Sequence, residues 1–342
     1  MKIFFVIVLF LLLPTSISAD IGPSSYNGLS IVPAENTEIS MREETVDIFV
    51  LDEGNARPFR YLCNVKAEFI MENGTDHSIE IMVGFPVEVY SGKLDLFARN
   101  VLVKDDIYNF TVTANGTPID SVSASVVNGS FKYTRPNDYL WFGWRQAFEP
   151  GTNKILVEYS FVTTPVSGFN ATQIGYSLYS GSFWKGPIGK AVVRIHFPGK
   201  ISEEFISGFN PDGYTIEEDK VVWNFEEFEP ESKDNILLEF IPFELIYEIE
   251  AARKTYSSTP DDMIAKRDLA VAYLGLMRTP NKGYVARLFN WDNTAYMKEA
   301  ERLIREILDE NPADCYVWNL YLSHYFKMHP GALGPYGLSL IH

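Results

Sequence analysis

The sequence predicts a mainly β protein with a C-terminal α part: an antiparallel β-sandwich, or two in tandem, followed by a short helical unit. Two observations favour this class. From about Ile39 to Ile241 apolar and polar residues alternate with a period of two, as in half-buried strands. After Pro242 the apolar residues recur at helical spacing. Because domains average ~150 residues, we divide the chain into a β part over 20–242 and a helical part over 243–330.

Residues 1–19 have the anatomy of a secretory signal. Lys2 supplies a positive charge, an unbroken apolar run covers 3–13, and Ala19 ends a stretch of small residues. A membrane span needs about 20 apolar residues, so this run is too short to cross a bilayer. We therefore expect an exported protein, whether extracellular, cell-surface or periplasmic, that begins near Asp20 and carries no span in its mature chain. Retention of the segment as an anchor is the alternative.

Alternating apolar runs separated by turn dipeptides define the β part. Cys63 lies on the apolar side of one such run, with Asn64 and Lys66 on the other, so we predict it in the core; the second cysteine, Cys315, falls in the helical part. The segment 138–148 is apolar on both faces, which indicates a buried central strand. An aromatic platform for sugars is the alternative there. The clearest runs contain Val46, Ile48 and Val50; Ile79, Ile81, Val83 and Phe85; Ile155, Val157, Tyr159 and Phe161; and Ala191, Val193, Ile195 and Phe197.

The stretch Ser180 to Ala191, SGSFWKGPIGKA, has the glycine content of a phosphate-binding loop but not its order. A P-loop places a glycine five positions before the Gly-Lys pair, where this chain has Trp184. It also needs a hydroxyl after the lysine, where Ala191 stands. We predict a turn between two strands.

The β part resembles an exported prokaryotic family of unknown function over about residues 29–241. The resemblance rests on the runs IVPAENTEISMREETVDIFV, FIMENGTDHSIEIMVGFPVE and YSLYSGSFWKGPIGKAVVRIHFP. It implies an exported β fold and carries over no catalytic residue. The matching positions are Phe85-Pro86 at the end of an early strand pair, then Gly181, Trp184, Gly186 and Ile188.

The helical part is predicted to hold helices near 262–277 and 294–310 and a third that ends at about Met328, with a loose tail over 331–342. Over about residues 262–328 it resembles a tetratricopeptide-like helix pair with a long insertion between its helices. The resemblance implies that the first two helices lie antiparallel and that they contact a protein partner. The matching positions are Leu269, Ala270, Tyr273, Ala300, Ile304, Ile307 and Pro312.

The insertion between these helices is the candidate partner-contact loop, because long loops without secondary structure are often functional. Its aromatic residues Tyr284, Phe289 and Trp291 would make the contact. The alternative is that they only fix the loop to the β part.

Composition and motifs exclude several functions. The net charge is −16, and the chain from Phe243 onward holds 11 Lys/Arg and 13 Asp/Glu, so the acidity belongs to the β part. Nucleic acid is excluded as a partner because phosphate neutralisation needs a basic face. We find no catalytic, cofactor or metal motif. The acidic segment 203–231 could offer oxygens to calcium, although a solvated acidic edge is the favoured interpretation.

Five Asn-x-Ser/Thr sequons lie in the β part, and a host with the machinery could glycosylate them. Asn-Gly is also a turn dipeptide, which accounts for three of the five without sugar. The candidate asparagines are Asn73, Asn109, Asn115, Asn128 and Asn170.

The functional prediction is an exported, non-enzymatic protein with a β-sandwich module and a helical unit that docks a protein partner. Cell-surface polymer is a second candidate partner. The alternatives are an envelope-polysaccharide hydrolase or a sugar-binding module, either of which would use acidic and aromatic residues of the β part.

Overall fold

A computed structural model describes residues 32–33, 37–52, 59–89, 107–129, 137–165, 171–276 and 294–328. Within these ranges the chain is mainly β, and its α-helices all follow the strands, which confirms a mainly β protein with a C-terminal α part. The signal segment, Asn170, the insertion aromatics Tyr284, Phe289 and Trp291, and the tail 331–342 lie outside these ranges.

Sixteen strands form three sheets among the described residues. They are β1 (Val32–Pro33), β2 (Ile39–Leu51), β3 (Leu62–Asn73), β4 (Ile79–Val89), β5 (Ile107–Ala114), β6 (Thr117–Pro118), β7 (Ser123–Gly129), β8 (Asn137–Phe148), β9 (Gly151–Val162), β10 (Thr164–Pro165), β11 (Thr172–Tyr176), β12 (Ile188–His196), β13 (Ile206–Asn210), β14 (Thr215–Glu217), β15 (Lys220–Phe228) and β16 (Ile236–Phe240).

The largest sheet has eight strands in the order β14-β15-β12-β2-β3-β9-β5-β6, and two four-stranded sheets have the orders β1-β4-β8-β7 and β10-β11-β16-β13. Every described strand pair is antiparallel except β2 and β12, which run parallel. A purely antiparallel sheet was therefore a wrong prediction at this pair. The reason is that alternation assigns faces to a strand but does not fix its direction, and strands distant in the chain need no hairpin.

The two smaller sheets contact different parts of the large one. On the β3–β9–β5 side, Phe85 of β4 meets Tyr159 with ring centroids 5.2 Å apart. Near the β12 end of the sheet, Phe240 of β16 contacts Phe197, which directly follows β12, with ring centroids 5.1 Å apart. Both contacts belong to one continuous cluster of buried residues. Cys63 lies fully buried in this core, as its alternation predicts.

Four helices complete the described chain: α1 (Phe243–Ser258), α2 (Met263–Gly275), α3 (Thr294–Glu310) and α4 (Cys315–Met328). The last three match the predicted helices, whereas α1 was missed. Only three of its residues, Phe243, Ile246 and Ile249, are buried, so its apolar signal is weak. Among the described helices, none is both long and apolar enough to cross a membrane.

Contacts at both ends show that α2 and α3 lie antiparallel. Near the start of α2, Lys266 donates to Glu310 at the end of α3 (3.0 Å). At the other end, the rings of Tyr273 and Tyr296 lie 5.3 Å apart. Ala300 is fully buried in α3. The antiparallel arrangement predicted for this pair is therefore present.

Candidate functional site: the seam between β2 and β12

The glycine-rich stretch forms the connection between β11 and β12, so the predicted strand-to-strand turn is confirmed. A 3₁₀ turn over Tyr179–Phe183 begins it, and the strand starts at Ile188. Gly186 takes a φ of +71°, which residues with a Cβ rarely adopt. The stretch therefore positions β12 and offers no helix N-terminus to an anion.

Gly189 explains how β12 approaches β2. A Cβ at this position would lie 2.6 Å from the carbonyl oxygen of Arg42, closer than real atoms come. Arg42 sits where the register of β2 shifts by one residue, between Met41 and Glu43. Because a bulge pushes the backbone out of line, only glycine fits opposite it. We call the parallel β2–β12 pair the seam.

The inner face of the seam carries a fully buried carboxyl group. Glu44 has no exposed surface, and its Oε1 accepts a hydrogen bond from the hydroxyl of Tyr176 at 2.8 Å. Tyr176 comes from β11, so this bond links the eight-stranded sheet to a four-stranded one. Buried polar groups need such partners because desolvation otherwise destabilises the fold.

The outer face of the seam holds four side chains in contact, which we call the outer seam cluster: Asp47, Phe49, Arg194 and His196. The parallel register puts Arg194 opposite Asp47 and His196 opposite Phe49. The Nε2 of His196 lies 2.8 Å from Oδ1 of Asp47, and the Nη1 of Arg194 donates to the same oxygen over 3.3 Å. Phe49 and His196 stack with centroids 4.4 Å apart.

This cluster is partly open to solvent. Phe49 is 40% exposed, and the side chains of Asp47, Arg194 and His196 keep between a fifth and a third of their surface accessible. Two buried valines, Val192 and Val222, share the same face, since β12 and β15 alternate regularly here. The cluster thus combines charged groups, a ring and an apolar border on rigid strands.

The outer seam cluster holds an imidazole beside a carboxylate. His196 is oriented by a carboxylate, as in a hydrolase triad. Its cross-strand neighbours are Phe49 and Lys220, and the hydroxyl of Ser160, two strands beyond Phe49, donates to Asn64 at 2.7 Å. No nucleophile in the described part of the chain stands beside the imidazole. Within the same part, no three His, Cys, Asp or Glu side chains are grouped for a metal ion.

A second polar cluster joins the helices to the β part, and we call it the Glu204 cluster. Arg253 of α1 donates two hydrogen bonds to Glu204, at 3.0 and 3.1 Å, and one to the hydroxyl of Tyr273 at 3.1 Å. Tyr296 of α3 also donates to Glu204. The bonds from Arg253 hold the pKa of the Glu204 carboxyl below its usual value, and burial raises the pKa of Tyr296 to about 12. The Glu204 cluster therefore bonds all three helices α1, α2 and α3 to one another or to the β part.

The sequons differ in their surroundings. The Nδ2 of Asn73 is buried and donates to the carbonyls of His77 and Phe148, at 2.9 and 2.8 Å. A glycan on this nitrogen would disrupt both bonds. Asn109 and Asn115 are exposed. Their use as glycan sites stays a prediction, as it does at Asn128 and Asn170, whose side chains lie outside the described parts.

Asn115 also forms a hairpin turn. Its φ of 49° and the φ of 80° at Gly116 are those of an Asn-Gly turn of type I′ between β5 and β6. The sequence interpretation of this dipeptide as a turn is therefore correct.

The acidic and aromatic segments do not form a site in the described chain. Within 203–231, Glu204 bonds to Arg253, and Glu217 and Glu231 pair with Lys220 and Lys233. These carboxylates serve separate ion pairs and do not converge on one point.

The aromatic strand 138–148 is β8. Its described large side chains Trp144 and Phe148 are buried, and Phe142 stacks on Phe110 at 4.1 Å. These contacts favour the buried interpretation of this strand.

Comparison with known proteins gives information about the fold alone. No protein-family profile matches this sequence, and no curated protein matches it. A crystal structure from Legionella pneumophila, of a protein provisionally described as nutrient binding, matches 81% of this chain and 97% of its own. The TM-score is 0.52 at 17% identity, which shows a shared fold and no more.

A zinc metallopeptidase of the M1 class from Deinococcus radiodurans matches 59% of this chain and 42% of its own at 10% identity. Its TM-score of 0.25 carries no argument about this protein.

Proposed function

We propose that this chain is an exported, non-enzymatic binding protein whose two tandem β-sandwich modules meet at the seam and bind a small ligand on its outer face. The observation that carries this proposal is the outer seam cluster. It places a half-exposed ring, a carboxylate, a guanidinium and an imidazole within contact distance on two adjacent strands. Ligand sites occur preferentially at the junctions between structural units.

Binding is better supported than hydrolysis. A glycosidase needs two carboxyl groups that face each other across the substrate. Asp47 instead faces Arg194 and His196, with which it is hydrogen-bonded. The provisional description of the Legionella protein as nutrient binding agrees with a binding role.

The tetratricopeptide-like unit, with its insertion loop, stays a prediction as a docking site for a protein partner. The Glu204 cluster supports the idea that the helices form a fixed extension of the β part.

A ligand screen tests the proposal. The full chain and its Phe49→Ala and His196→Gln variants are screened by thermal shift against sugars, amino acids and small organic acids. We expect at least one ligand class to raise the melting temperature of the parent and not of the variants. If every hit acts equally on all three proteins, the ligand does not bind at the outer seam cluster. N-terminal sequencing of the native protein should begin near Asp20, and an intact residue 1 in the cytosol would contradict export.

A further inference from the structure

The outer seam cluster has more hydrogen-bond donors than its own carboxylate uses. Asp47 accepts from one Nη of Arg194 and from Nε2 of His196. Within the described chain, the other guanidinium N–H groups of Arg194 have no partner. A guanidinium presents five N–H donors in a rigid fork, so most of this fork is available to a ligand.

A further cation stands beside the cluster. The next strand, β3, places Lys66 directly opposite Asp47, and Lys66 is exposed. On its far side β9 places Glu158. Neither this glutamate nor any other carboxylate that the structure describes lies within ion-pair distance of Lys66. Arg194 and Lys66 therefore flank Asp47 with two positive charges, and Glu158 lies beyond Lys66.

Phe49 adds an apolar contact next to these donors. One face of its ring is covered by His196, and 40% of the residue is exposed. Phe49 is the next residue after Asp47 on this face of β2, and Asp47 lies opposite Arg194. A ligand whose charge is bound by Arg194 could therefore place its ring or carbon skeleton against Phe49. A bare inorganic ion would make no use of this surface.

From these three features we propose that the outer seam cluster binds a small carboxylate. Its carboxylate accepts from Arg194 and Lys66, and its ring or carbon skeleton lies against Phe49. Asp47 is a positioning residue that fixes the guanidinium and the imidazole through its hydrogen bonds. This inference rests on the proposed binding function and specifies its ligand class. Planar two-pronged donation is the geometry in which arginine recognises carboxylates.

Titration calorimetry of the full chain at low salt tests the inference with matched probes. D-glucuronate and D-glucose differ only by the carboxylate, and inorganic phosphate offers an anion without a ring. We expect glucuronate to bind at least about tenfold more tightly than glucose, since a hydrogen bond to a charged group contributes about that much. Phosphate should bind more weakly than glucuronate.

Variants assign the effect to this site. Arg194→Gln and Lys66→Gln should each weaken glucuronate binding by about tenfold, and Phe49→Ala should weaken glucuronate but not phosphate. The control is Lys154→Gln, which removes the same charge from the same face, where Lys154 pairs with Glu68 at 2.7 Å. Lys66 is exposed, so its variant keeps the test valid if Arg194→Gln fails to fold.

The outcomes separate the inference from the proposed function. If glucose and glucuronate bind with equal affinity and Phe49→Ala loses both, the inference of a carboxylate ligand is wrong, but the proposed binding function stands. If phosphate binds as tightly as glucuronate does and Phe49→Ala leaves phosphate binding unchanged, the site is a general anion site. This result would also overturn the inference. If none of the three probes binds, the inference is wrong, and the ligand screen alone decides the function.

Discussion

Replacing Glu204 by glutamine tests whether the Glu204 cluster fixes the helices to the β part. The substitution keeps the size of the side chain and removes its charge. Arg253 then loses its carboxylate partner, although its guanidinium still lies 5.5 Å from the ring centre of Tyr273 and 5.6 Å from that of Tyr296. Glu204 lies in a 3₁₀ turn over Glu203–Phe205, just before β13. We expect its contact with helix α1 to weaken while the buried core stays packed.

The size of the effect follows from the exposure of the pair. The side chains of Arg253 and Glu204 are 32% and 38% exposed, so the pair is neither a surface pair nor a buried one. Surface pairs contribute about 0–1 kcal/mol, and breaking a buried pair costs about 3–5 kcal/mol. With solvent screening taken into account, we expect Glu204→Gln to lower the free energy of unfolding by about 2 kcal/mol.

A double-mutant cycle in urea with Glu204→Gln and Arg253→Gln measures the coupling, which we expect at about 1–2 kcal/mol. The control is a second cycle on Arg145 and Glu80, whose ion pair has a similar distance of 3.0 Å but side chains 67% and 58% exposed. Its coupling should stay below about 0.5 kcal/mol. Equal coupling in the two cycles would refute the idea that the Glu204 cluster fixes the helices.

The same pair has a pH dependence of definite sign. The pKa of Glu204 is lowered in the folded chain, chiefly by its hydrogen bonds from Arg253. Its contribution to stability is therefore complete above the ordinary carboxyl pKa of about 4.3 and is lost as the pH falls through the lowered pKa. The protection of helix amides against hydrogen exchange, relative to their intrinsic rates at each pH, should fall in that acidic range in the parent. Glu204→Gln should already show the lower protection at neutral pH.

Three further substitutions have defined outcomes in denaturant unfolding. Tyr159→Phe should raise stability by about 1 kcal/mol, because its buried hydroxyl has no hydrogen-bond partner in the structure and its removal leaves no group unpaired; a clear loss would mean that the hydroxyl is bonded. Gly189→Ala should cost about 2 kcal/mol or more through the clash with Arg42, whereas Gly199→Ala, with open space around its Cβ, should be nearly neutral. Ala300→Leu should cost about 1–3 kcal/mol by overpacking the fully buried contact of α3, and an unchanged melt would place that residue at the surface.

The sequence predicts the buried faces of the strands and helices of this chain well, because burial leaves a direct periodic trace. The alternation around Cys63 and the spacing around Ala300 both identify residues that the structure buries completely. Helix α1 left a weaker trace, because only Phe243, Ile246 and Ile249 are buried along it. Its start is bonded to the β part, where the backbone N–H of Phe243 donates to the hydroxyl of Tyr61 at 2.8 Å. A hydrogen bond between residues 182 positions apart has no counterpart in any local pattern.

The outer seam cluster shows why a site can be missed in sequence analysis even when the strands that carry it are predicted. Asp47 and His196 are 149 residues apart, and each occupies an ordinary polar position in an alternating strand. The decisive quantity is the direction of β12. With Val193 kept opposite Val46, an antiparallel β12 would bring Lys190 beside Phe49 and Val192 beside Asp47. The parallel register instead places His196 on Phe49 and Arg194 on Asp47. The donors, the carboxylate and the ring therefore meet only because the strand runs parallel, and direction is the property that alternation does not encode.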